Sequence, residues 1–195
     1  MSATSSFLQA SRADLERYLE HEAPSLKKKL EVICRNEGLQ AVLVYRLGKL
    51  LHSKRKNVVL WPLLAVGWGA YGLAALFMRR GYGISVSLSA DIGPGFWIGH
   101  FGGIEVANCR MAERCSVGQQ TKVGRAQQIH GPIIGDGVWI GAHAKVFGPI
   151  KVGDRATIAP GARVTNDVPS NSLIVGDPGR IVSRRYDNTR ITPRG

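Results

Sequence analysis

Apolar and polar positions follow three successive patterns along the chain. Through residue 57, apolar residues recur at helical spacing among charges, and Pro24 after DLERYLEHEA stops or restarts the pattern. From Glu31 to Lys56, Leu39, Val42, Leu43, Leu47, Leu50 and Leu51 form a stripe beside Arg46, Lys49, Lys54, Arg55 and Lys56. This predicts a basic amphipathic helix. Residues 58–78 then carry no charge over 21 positions, enough to cross a bilayer as a helix. Pro62, Gly67, Gly69 and Gly72 weaken that helix, and basic residues at both ends assign it no orientation. Two readings stand: membrane-surface association through 39–80, and a helix buried in a multimer.

From residue 84 the period is six. Val86, Ile92, Ile98 and Ile104 lie on it, Met111, Val117 and Val123 follow one residue out of phase, and Ile134, Ile140, Val146, Val152, Ile158 and Val164 hold it unbroken. Gly or Ala usually comes next, as in Ile98-Gly99 and Ile140-Gly141. Neither a helix nor an alternating strand has this period. It predicts short strands joined by turns, three to a triangular coil, with the aliphatic residue inside and the small one at the corner. Each coil buries its core only against neighbouring coils. Between Val123 and Ile134 five extra residues must bulge out as a loop within GRAQQIHGP, and such insertions gather on binding faces. The expected division is a helical region 1–82, a coil domain 83–169 and a basic tail 170–195.

Charge narrows the partners. Lys and Arg number 26 against 14 Asp and Glu, a net charge of +12, which favours an anionic partner. The cations are scattered with no aromatic-interleaved basic motif, so no nucleic-acid partner is expected. Cys34, Cys109 and Cys115 show no CxxC spacing, arguing against a disulfide framework and a structural zinc site.

GPGFWIGHFGGI, GDGVWIGAHAKVFGPIKVGDRATIAPGARVTNDVP and IVGDPGRIV resemble the hexapeptide-repeat acyltransferases, in the serine acetyltransferase-like branch that includes members of polysaccharide biosynthesis. The resemblance implies an all-β left-handed parallel β-helix behind an α-helical extension, acetyl-CoA as donor with no metal, a homotrimer, and active sites between adjacent prisms. Because acetyl-CoA is cytoplasmic, the catalytic part is expected there, peripheral or monotopic at the inner membrane face.

The resemblance puts His100 on the catalytic histidine, the general base that takes the proton of the acceptor hydroxyl. Ser85, Gly99 and His130 fall at acceptor positions. Serine-specific members carry Asp where Gly99 and Ser85 stand here, the latter orienting the histidine, and His130 stands one residue out of register from an Arg-His pair. An acceptor without an ammonium group would not need those carboxylates. The expected reaction is therefore acetyl transfer to a sugar hydroxyl, in exopolysaccharide or capsule synthesis, with serine O-acetylation as the alternative. Coenzyme A would lie along Gly141, Ala142 and Pro160, and Lys145, Arg163 and Arg180 would meet its phosphates. Zinc-dependent hydration of carbon dioxide on the same coil would need three histidines. His100, His130 and His143 are present, but the close pair such sites use is missing.

Overall fold

The structure, a computed structural model, describes residues 3–19, 25–55, 61–100, 102–125 and 130–192. Four helices, α1 (Ala3–Glu16), α2 (Leu26–Arg35), α3 (Glu37–Lys54) and α4 (Trp61–Gly81), precede a left-handed parallel β-helix. Its first face stacks β1 (Ile84–Val86), β4 (Ile104–Val106), β7 (Lys122–Val123), β10 (Lys145–Val146) and β13 (Arg163–Val164). The second stacks β2 (Asp91–Ile92), β5 (Arg110–Met111), β8 (Ile133–Ile134) and β11 (Lys151–Val152), and the third β3 (Trp97–Ile98), β6 (Ser116–Val117), β9 (Trp139–Ile140), β12 (Thr157–Ile158) and β14 (Leu173–Val175). The aliphatic residue of each strand points into the prism. Val117, Val123, Ile140, Val146 and Ile158 are fully buried. Corners turn through left-handed backbone at residues such as Asn108, Gln120, His143 and Arg155.

Two expectations are corrected here. The coil domain does not stop at 169: β14 pairs in register with β12, and β15 (Arg180–Ser183) closes the lower edge antiparallel to β14. A hydrogen-bonded edge strand is thereby covered. Nor does Ile104 hold the sixfold position. Val106 pairs with Val86 above and Val123 below, while Ile104 pairs with Ile84. Both side chains are buried, so hydrophobicity alone does not separate them.

The upper edge is covered by side chains of the helices. Arg46 donates to Ile92 O and Gly93 O at 2.6 Å each, Arg17 to Gly95 O at 2.7 Å, and Tyr18 to Ile98 O at 3.0 Å. Tyr45 donates to Ala90 O and accepts from Ile92 N–H. Asp14, fully buried, accepts from Phe96 N–H at 2.8 Å and holds Arg46 through both carboxylate oxygens at 2.8 and 3.1 Å. Burial pushes the Arg17 guanidinium down to about 10 and the Tyr45 phenol up to about 12. The segment from Leu39 is thus not a lipid-facing stripe. Leu39 is fully buried, Val42 and Tyr45 pack on the core of the solenoid, Arg46 is buried, and Lys49 reaches Ala90 O. Lys56 and residues 58–60 lie outside the described residues.

Candidate active site

The pairing registers locate one irregular corner. Ile98 stands over Val117 and Glu105 over Lys122, so the upper connection is two residues longer than the lower. Gln120 N–H donates to Gly102 O at 2.7 Å, which aligns Gly102-Gly103 with Gln119-Gln120. The surplus therefore falls between Gly99 and Gly102, and His100 is in it. His100 adopts a φ of 52° and is exposed. Among the described residues, none hydrogen-bonds its imidazole; residue 101 lies outside them.

Gly99 has a steric reason. A Cβ there would run into the indole of Trp97, whose ring is held 6.1 Å from that of Tyr18. An aspartate at this position, as in the serine-specific pattern, has no room while the indole is in place. Ser85 lies on the outer side of β1, beside Glu105, and lines a cavity of about 510 Å³ between α3, α4 and β1. Glu105 faces Lys122 at 3.7 Å.

Gly141, Ala142 and Pro160, the residues expected along the coenzyme A arm, share the His100 edge. Gly99, Gly118, Gly141 and Ala159 follow aligned strands of the third face. Gly161 N–H donates to Ala142 O at 2.8 Å, stacking the Pro160-Gly161 corner under Ala142-His143. Three coil steps separate His100 from Pro160, about 14 Å at the usual inter-strand spacing. The Ala142 N–H has no acceptor among the described residues, and Pro160 has no N–H to offer. Lys122, Lys145 and Arg163 form an outward column on the adjacent first face. Arg163 is held at 2.7 Å by Asp177, and Lys145 has no carboxylate partner among the described residues. Arg180 opens β15 at the lower edge, exposed. Lys122 and Trp97 were not singled out from the sequence; one coil of register would have found the first, while the second depends on a ring orientation.

His130 is not brought to His100. It lies at the edge between the first and second faces, in a cavity of about 450 Å³ with Asp91, Asn108, Arg110 and Lys151. Ile129 beside it lies outside the described residues. His143 sits on the His100 edge two coils down. Among the described residues no three metal-ligating side chains converge. Burial pushes the Cys109 and Cys115 thiols up to about 12, which leaves them poor nucleophiles.

A hexapeptide prism with an exposed histidine in the surplus of one corner is the framework of an acyltransferase. Residues 131–166 match the family described as bacterial transferase hexapeptide (six repeats). Over 189 residues the chain is 31% identical to the serine acetyltransferase of Staphylococcus xylosus, covering 95% of this chain and 81% of that protein. It is 30% identical to the serine acetyltransferase of Staphylococcus aureus strain Mu50, covering 94% and 82%. Among solved structures, the serine acetyltransferase of Vibrio cholerae O1 biovar El Tor N16961 superposes with a TM-score of 0.72 at 26% identity, over 92% of this chain and 67% of that one. A serine acetyltransferase in complex with CoA gives 0.69 at 25% identity, over 92% and 71%. The chain belongs to the serine acetyltransferase family. Transfer to a sugar hydroxyl, expected from Gly99 and Ser85, is thereby overturned. Two missing carboxylates outweighed too little of the chain in that expectation, whereas the relatives match nearly its whole length.

Proposed function

We propose that this acyltransferase moves the acetyl group of acetyl-CoA to the hydroxyl of serine, with His100 as general base. The near-full-length identity to serine acetyltransferases carries this reading, and the register surplus at His100 supports the role of that residue. The serine oxygen attacks the thioester carbonyl as an imidazole nitrogen takes its proton. The carbon–sulfur bond then breaks, and the imidazolium returns the proton to the departing thiolate. The donor arm lies down the Gly141, Ala142 and Pro160 edge, and Lys145, Arg163 and Arg180 meet the phosphates, with Lys122 a further cation in the column. Ser85 and Gly99 border the acceptor, and Trp97 forms the wall where a relative would carry a carboxylate.

The protein is read as a homotrimer. His100 and His130 occupy different edges of one prism, so a site using both takes His130 from a neighbouring protomer. The helical region, the solenoid and the basic tail act as one catalytic unit in the cytoplasm, where the donor is found. Thiol release from acetyl-CoA with L-serine, and mass detection of O-acetylserine, test the assignment. No serine-dependent release from folded protein would refute it. Light scattering should give about 63 kDa, three times 21.1 kDa; a monomer mass would refute the shared site.

A further inference from the structure

α4 presents two unlike sides. Leu64 and Met78 are buried against the rest of the protein and Tyr71 is half-buried between them. The opposite side displays Trp61, Leu63, Val66, Leu73, Leu76 and Phe77, each between 45 and 72% exposed. No charged residue interrupts that side before Arg79 and Arg80. A water-facing helix surface is normally polar, and an apolar patch of this extent marks an interaction surface.

Charge decides between occupants. Residues 25–81 hold eleven Lys and Arg against two Asp and Glu, Glu31 and Glu37, a net +9 of the chain's +12. Lys54 and Arg55 end α3 near the start of α4, and Arg79 and Arg80 close its far end. Arg46 is buried against Asp14 and Lys49 faces Asp91, so the charge at the face is that of the cations at the two ends of α4. Two copies meeting through it would set these against one another, with no carboxylate on α4 to offset them. An anionic bilayer meets the same face with opposite charge and an apolar interior. The buried side of α4 stays on α3 and the first coil, so the helix lies along the interface instead of crossing it. Its 21 residues are about 31 Å long, with an indole at one end and guanidinium groups at the other, groups that favour the headgroup layer.

We infer that α4 seats the enzyme on an anionic membrane surface, its exposed apolar side in the acyl boundary and the basic ends on lipid phosphates. This goes beyond the acetyl-transfer reading and does not depend on it. The test is flotation of the full-length protein with vesicles of phosphatidylcholine alone or mixed with phosphatidylglycerol. The protein should rise with the anionic vesicles, and less so in about 0.5 M salt, where screening is stronger. The double substitution Leu73→Glu/Phe77→Glu should keep the oligomeric mass and circular dichroism and lower flotation about tenfold or more. Arg79→Glu/Arg80→Glu should abolish the preference for anionic vesicles. Wild-type protein left at the bottom of the gradient with anionic vesicles would overturn the inference. So would a Leu73→Glu/Phe77→Glu variant whose oligomeric mass falls, since the face would then be a contact between copies.

Discussion

Replacing Asp14 with Ala tests how the helices are fastened to the solenoid. The carboxylate is fully buried. It accepts from Arg46 Nε at 2.8 Å, from Arg46 Nη2 at 3.1 Å and from Phe96 N–H at 2.8 Å. Ala leaves a guanidinium buried without its counter-charge and one strand-edge N–H without an acceptor. Ile92 O and Gly93 O still receive Arg46, which holds the loss within the usual range for a broken buried pair, about 3–5 kcal/mol. For a chain of this size that lowers the melting temperature by roughly 6–20 °C. Thermal and urea unfolding by circular dichroism, at one protomer concentration, measures it. Asp14→Asn keeps an oxygen for Phe96 N–H and should lose less. Asp14→Leu combined with Arg46→Met removes both charges and should recover much of the loss. A cost below about 1 kcal/mol for Asp14→Ala would refute the argument, because the pair would then be solvated or dispensable.

His100→Ala should cut turnover by about 10²–10⁴ with unchanged circular dichroism and oligomeric mass, in an assay of coenzyme A release; near-normal turnover would remove His100 from the chemistry. Gly99→Asp should destabilise the protein through its collision with the Trp97 indole, and adding Trp97→Ala should relieve it, as read by melting temperature. Lys145→Ala should raise KM for acetyl-CoA and leave KM for the acceptor in place. Cys109 and Cys115 ionise near 9 in the unfolded chain and near 12 when buried, and Tyr45 shifts from 10 to about 12. Their stabilisation is intact below pH 9 and is lost as pH rises toward 12. Arg17, pushed down to about 10 from 12.5, works in the opposite sense above pH 10. Burial raises Tyr18 and Tyr71 as well, so five raised groups outweigh the one lowered group and urea midpoints should fall from pH 9 to 11. A thiol reagent at pH 8 should modify Cys34 alone before unfolding, since it is the exposed thiol.

The prism was legible in the sequence because its determinant is local. An aliphatic residue every six positions, followed by a small one, can bury itself only by turning a corner at each repeat, so spacing alone predicted the coils from Met111 to Val164. Chemistry at His100 was legible only by resemblance. Its geometric distinction, a place in a two-residue surplus, depends on which of Ile104 and Val106 pairs across to β7, and both are apolar enough for either register. Arg46 shows the same limit. A stripe of leucines beside cations is compatible with lipid or with protein, and the partner that draws Arg46 inward, Asp14, lies 32 residues away. The indole over Gly99 is likewise a matter of where a ring packs. Periodic burial is a property of neighbours along the chain and can be read from it. Register, ion pairing and ring placement depend on contacts between segments distant in sequence, and only the folded arrangement decides among alternatives of similar hydrophobicity.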